Sequence, residues 1–150
     1  MKAQGKSWTC GIAAATNALE CLGIRATQAQ VAKHCHTDVV VGTDETEVKR
    51  ALLAYGCGVD EWEFNMEVLS HDWLKEHLIR RGPAILCVDD WEHYITCIGL
   101  CGGSYVCFDP SLGAGIRVYT RAGLNTRWRL SRGRSGPIWY ALGVSYDRPL

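Results

Sequence analysis

Apolar positions along this chain follow helical spacing first and strand-like spacing later. The run from Ile12 to Leu22 is rich in Ala and Leu, lacks Pro and closes on Gly23, which predicts a helix over about 11–22. That helix is apolar nearly all round, so it belongs inside a core. Thr27 to Cys35 predicts a short second helix, with Thr27 and Gln30 spaced as a capping box. Thr43 or Asp44 then caps a third helix that runs to Tyr55 and ends at Gly56. Its acids (Asp44, Glu45, Glu47) precede its bases (Lys49, Arg50), the order the helix dipole favours.

Cys57 to Phe64 alternates as a strand whose acids suit an exposed edge. Ser70 caps a fourth helix over 71–81, with Trp73, Leu74, Leu78 and Ile79 as its inward stripe and Gly82-Pro83 as its stop. Beyond it, the apolar run 84–88 fits a buried strand. A loop, Asp89-Asp90-Trp91-Glu92, leads to His93 and a strand from Tyr94 to Leu100. Gly102-Gly103 is a hairpin turn signal, and the returning strand 104–108 ends on Asp109-Pro110. Strands at 116–119 and 138–146 follow, with the Arg- and Gly-rich segment 121–137 between them read as a long loop. The fold class is α+β: a helical N-terminal half around one buried helix, and an antiparallel sheet in the C-terminal half. At 150 residues the expectation is one domain, 1–150, able to bury its own core.

Composition alters this picture little, since 47% hydrophobic and 21% charged residues are ordinary for a globular chain. Charge is balanced overall but unevenly spread. Residues 38–92 hold thirteen acids against five Lys or Arg, whereas 110–146 hold six arginines and no acid. An internally compensated surface is favoured over an acidic partner, and nucleic acid is not expected to bind. Met1 leads straight into the first motif, and no apolar run approaches membrane-spanning length. The expectation is a cytoplasmic protein whose eight cysteines stay reduced. Cys97, Cys101 and Cys107, or His34-Cys35-His36, would be the alternative zinc ligands. None has the close Cys-x2-Cys spacing of the usual knuckles, so neither a metal nor a cofactor is expected.

Chemistry enters at Cys10. Most cysteines are small core residues, but this one heads the buried helix, where unpaired amides and the macrodipole favour a negatively charged sulfur. Gln4, six residues upstream, carries an amide able to donate to a developing oxyanion. The predicted hairpin supplies the partners: His93 opens one strand and Asp109 closes its antiparallel neighbour. Folding at Gly102-Gly103 brings them within two or three residues of register, with a bulge or longer turn taking up the remainder. Cys10 needs a base, His93 needs an acceptor on its second nitrogen, and Gln4 steadies the oxyanion. Singly, a histidine at a strand start is more often structural and Asp-Pro more often opens a turn; Asp89, Asp90 and Glu92 read as solvated. The conjunction of four residue types in this order selects the catalytic reading.

These residues resemble a known family. Gln4 followed by Cys10-Gly11-Ile12-Ala13 looks like the opening motif of the bacteriocin-processing, double-glycine leader peptidases, papain-like cysteine peptidases often fused to export ATPases. Gly42-Thr43, Arg81-Gly82-Pro83-Ala84-Ile85, Glu92-His93-Tyr94-Ile95 and Phe108-Asp109-Pro110 fall where that family has similar residues. The resemblance spans roughly 4–112 and implies a papain-like fold with Cys10 as nucleophile, His93 as general base and acid, Asp109 as orienter and Gln4 as oxyanion donor. Thr9 departs from the acidic residue that exporter-type members carry before the cysteine, and no transmembrane or ATPase segment follows, so a stand-alone domain is expected.

The function read from the sequence is hydrolysis of a peptide or isopeptide bond in a peptide or protein substrate through a thioester on Cys10, such as leader-peptide or conjugate processing. Trp8, Trp91 and Gly11 are the candidate substrate-binding residues, with specificity residing in loops 57–70 and 121–137. Deamidase- or transglutaminase-like chemistry on the same triad, a non-catalytic peptide-binding module, and nucleic-acid binding through the arginine-rich third remain the alternatives.

Overall fold

Every position of the apolar run Ala84–Val88 is buried, which requires cover on both faces of the sheet it joins. A computed structural model, describing residues 10–35, 45–112 and 115–147, shows that cover. Helices α1 (Cys10–Cys21), α2 (Gln28–Ala32) and α3 (Glu45–Ala54) come first. Strand β1 (Gly58–Phe64), helix α4 (Glu67–Arg80), strands β2 (Ala84–Val88), β3 (His93–Cys101), β4 (Ser104–Asp109) and β5 (Gly115–Tyr119), helix α5 (Arg121–Trp128) and strand β6 (Trp139–Ser145) follow. The strands form one antiparallel sheet in the order β1-β6-β2-β3-β4-β5. This is the expected α+β architecture, with β1 returning from the helical half to pair with β6 as an edge.

Alternation along β2 sends Ile85 and Cys87 into a core with α1–α3, and Ala84, Leu86 and Val88 into one with Leu74 of α4 and Leu124 and Trp128 of α5. Helix α1 is buried from Cys10 to Leu19 and is tied to the sheet by Thr96, whose hydroxyl donates to the Ala14 carbonyl at 2.9 Å. It ends in a Schellman motif: Gly23 takes φ 79°, its N–H reaches the Glu20 carbonyl and the Ile24 N–H reaches that of Leu19. The Thr27–Gln30 capping box forms as expected. Thr43 and Asp44, the expected caps of α3, lie outside the described residues.

Two expectations need correction. Helix α4 begins at Glu67, and Ser70 lies within its first turns, its hydroxyl donating to the Glu67 carbonyl. Of the expected stripe, Leu74 is buried and the half-buried Trp73 and Leu78 pack against the core, but Ile79 is 72% exposed, and Ser70, His71 and His77 complete the buried face. A hydrophobic pattern cannot find those three, which are polar and are buried by hydrogen bonding. His71 Nε2 donates to Asn125 Oδ1 (3.3 Å), an oxygen that also accepts from Trp139 Nε1, and its Nδ1 accepts from the Tyr105 hydroxyl at 2.8 Å. His77 Nε2 donates to the carbonyls of Pro83 and Val144. Secondly, 121–137 is not a loop throughout, since α5 occupies its first half. Thr120 caps that helix by accepting from the Gly123 N–H, and Leu124 and Trp128 form its one-stripe apolar face.

The buried imidazoles make a pH prediction. Burial lowers both His71 and His77 below the ordinary histidine value. The unfolded chain therefore takes up protons first as pH falls, and stability is lost below the unfolded value of about 6.5. The urea midpoint should be lower at pH 5.5 than at pH 7. His93, raised to about 9 by its partners, gains stability over the same interval, so the comparison is made in His93→Ala, where an equal midpoint at the two pH values would show that His71 and His77 do not fold neutral.

Candidate active site

Sheet register sets the geometry of the site. Cys97 stands opposite Cys107 and Thr96 opposite Phe108, with one extra residue, Ile98, bulged from β3. Continuing that register places Asp109 opposite Ile95, and residues 93 and 95 share a face of the strand. His93 and Asp109 are thus diagonal neighbours, within reach of each other's side chains. Gly102 and Gly103, at φ 57° and 86°, make the two-residue turn that fixes this pairing.

The side chains meet as the spacing predicts. His93 Nε2 donates to Asp109 Oδ1 at 2.7 Å. Cys10, the first residue of α1, sits beside the same imidazole, close enough to help hold the ring's proton. Cys10, His93 and Asp109 are 7%, 9% and 1% exposed. Burial alone would lower His93, but the hydrogen bonds and charges of Asp109 and Cys10 outweigh it and raise the imidazole to about 9. Burial would raise Asp109, yet bonds from His93, Ser111 and Arg127 hold its carboxyl well below the usual carboxylate range. The ring therefore carries its proton readily while its acceptor stays ionised.

Asp109 also opens a turn, the humbler role its Asp-Pro sequence suggests. Its Oδ1 accepts from the Ser111 N–H (3.0 Å) and hydroxyl (2.7 Å). Its Oδ2 accepts from Arg127 Nη1 at 2.8 Å. The same Arg127 nitrogen donates to the Tyr119 hydroxyl, while Nε and Nη2 grip both oxygens of Asp89 at 2.9 and 2.5 Å. Asp89 is solvent-exposed, as expected, and is ion-paired as well. Sequence patterns single out none of Arg127, Ser111 and Tyr119. Arg127 is there only one of six arginines, in a segment with too little apolar periodicity to reveal its helix.

Of the substrate-binding candidates, Gly11 is buried in the first turn of α1. Trp91 is 39% exposed, donates to the Ser131 carbonyl and lies 6.2 Å from the Tyr140 ring. Gln4 and Trp8 lie outside the described residues. The arginines of 110–146 reach back to the acids of 38–92 through Arg127–Asp89, Arg132–Glu63 and Arg121–Glu67, which supports the compensated-surface reading. Among the described residues no helix is long and apolar enough to cross a membrane, and no group of three or more His, Cys, Asp or Glu is arranged to hold a metal ion. All eight cysteines are unbridged.

Comparison with known proteins adds the family. A model of the Peptidase_C39-like family matches residues 1–135, while no curated protein matches the chain. A double-glycine-motif protease from an AMS/PCAT transporter, solved in complex with the leader peptide, superposes at TM-score 0.71 and 17% identity, over 97% of this chain and 89% of that one. The peptidase domain of Streptococcus ComA, a bifunctional ABC transporter involved in quorum sensing, gives 0.69 and 15%, over 97% of each chain. That of Streptococcus mutans ComA gives 0.61 and 16%, over 97% and 98%. At these identities the likeness is one of fold.

Proposed function

This chain belongs to the Peptidase_C39-like family, and we propose that it is a cysteine peptidase whose triad is Cys10, His93 and Asp109, with the whole chain acting as one catalytic domain. The observation carrying this reading is the buried His93–Asp109 hydrogen bond set against the head of the Cys10 helix. His93 takes the thiol proton, and the Cys10 sulfur attacks the scissile carbonyl. The first amides of α1, with Gln4 in the role its motif implies, stabilise the oxyanion. His93 then gives its proton to the leaving amine, and a thioester remains on Cys10. Water, deprotonated by His93, hydrolyses that thioester and restores the thiol.

The leader peptide in complex with the AMS/PCAT relative supports a peptide substrate, with double-glycine leader peptides as the first to test. Eight unbridged thiols fit a cytoplasmic setting.

The test is iodoacetamide labelling of the native protein across pH, mapped by mass spectrometry, beside His93→Ala. Cys10 should label faster than the other seven cysteines and lose that advantage in the variant. Labelling of Cys10 no faster than that of buried Cys87 or Cys97, or an unchanged rate without His93, would remove the basis for a nucleophile here.

A further inference from the structure

We propose that Arg127 is a positioning residue of this site, its single guanidinium holding both the Asp109 carboxylate and Asp89, the anchor of the loop from which His93 emerges. The inference rests on the peptidase reading above.

Asp109 is 1% exposed, and a buried carboxylate keeps its charge and place only while donors surround it. His93 and Ser111 share Oδ1, which leaves Arg127 as the donor on Oδ2. Without Arg127 the carboxylate can rotate away from Nε2.

The loop supplies a second, independent strand of argument. Asp89, Asp90 and Trp91 all have positive φ, at 53°, 55° and 73°. Asp tolerates this region, but Trp rarely adopts it. Three consecutive residues of this kind persist only where their surroundings over-determine them. Here the ties run to α5 and the residues just after it. The Asp89 N–H donates to the Arg127 carbonyl, and the Asp89 carboxylate meets the Arg127 fork. The Ser131 N–H donates to Asp90, and Trp91 donates to the Ser131 carbonyl. His93 pairs with Val88 directly across this turn, so the loop's shape sets where the imidazole begins. One side chain thereby fixes the base and its acceptor relative to each other. Lysine could not replace it, because a point charge cannot fork onto one carboxylate while reaching another.

A merely structural Arg127 would change how much protein folds and leave each folded molecule's chemistry alone. The experiment separates these roles with two readouts on the full chain: the NMR titration of His93 in histidine-labelled protein, and the pH-dependent rate of Cys10 alkylation by iodoacetamide. The groups facing the imidazole are Cys10 and Asp109; Asp109 also faces Ser111 and Arg127, and Arg127 also faces Asp89 and Tyr119. Removing a cation near the imidazole would by itself raise the His93 midpoint, so in Arg127→Gln, checked as folded by circular dichroism, the expected fall toward the ordinary ~6.5 is the signature of a carboxylate that has turned away from the ring. Alkylation per folded molecule should slow by about tenfold or more. Asp89→Asn should move both readouts the same way by less, and Arg127→Lys should recover only part of the loss. A folded Arg127→Gln protein with both readouts unchanged overturns the inference. If that variant does not fold, unchanged readouts in Arg127→Lys and Asp89→Asn overturn it equally. Failure of the peptidase reading appears separately: wild-type Cys10 would alkylate no faster than Cys10 of His93→Ala, with Arg127 untouched.

Discussion

Cys10→Ala should abolish peptide hydrolysis, lowering kcat by roughly five to six orders of magnitude, as expected when the nucleophile of a cooperating triad is lost. His93→Ala should cost nearly as much, because the sulfur then lacks its base and the leaving amine its proton donor. The double variant should be no worse than either single one. Residues acting as a unit are non-additive in this way, whereas two independent contributors would multiply their losses. Cys10 is a small side chain at the helix head, so Cys10→Ala should keep the fold, with a urea midpoint close to that of wild type. Single-turnover assays on a double-glycine leader peptide measure all three variants. A double variant far slower than both single ones would mean that Cys10 and His93 do not serve one mechanism.

Much of this site is legible in the sequence, because it depends on local signals. The Ala-rich run closed by Gly23 reads only as a buried helix, and Cys10 stands at its head. Gly102-Gly103 reads only as a tight turn, which makes His93 and Asp109 neighbours to within a bulge; that bulge is Ile98. What escapes such reading is held together by polar contacts between distant segments. Ser70, His71 and His77 form the buried face of α4, and the two histidines belong there only because Asn125, Tyr105, Pro83 and Val144 meet them. Except for Pro83, six residues past His77, no short window of sequence contains both sides. Helix α5 has eight residues and one apolar pair, too short for periodicity to stand out against two arginines and a glycine. Its Arg127 meets Asp89 across 38 positions. The compensation of the acidic and arginine-rich halves is foreseeable as a sum, but which arginine reaches the site is not.

The second large effect belongs to Asp109, and two substitutions separate what its carboxylate does. Asp109→Ala removes both acceptor and charge, and kcat/KM should fall by about 10²- to 10⁴-fold. Asp109→Asn can keep an oxygen where His93 Nε2 donates, although its NH2 then meets Arg127 Nη1 donor to donor, so the loss at the pH optimum should be smaller than that of Asp109→Ala without disappearing. What the amide cannot supply is charge. Asp109 and Cys10 together raise His93 to about 9, so the imidazolium that protonates the leaving amine persists until pH rises through that value. Activity should therefore decline on the alkaline side near pH 9 in the wild type. In Asp109→Asn the proton is held less tightly, and the alkaline limb should move toward the ordinary histidine value of about 6.5. The sign is fixed by which form the carboxylate favours: losing an anion beside a base can only make its cation easier to deprotonate. Arg127 remains neutralised by Asp89 in both variants, so neither leaves an isolated buried cation to unfold the site. Profiles of kcat/KM against pH for the wild type and the two variants test this directly. An alkaline limb that stays in place in Asp109→Asn would mean that the carboxylate orients the ring without sustaining its charge.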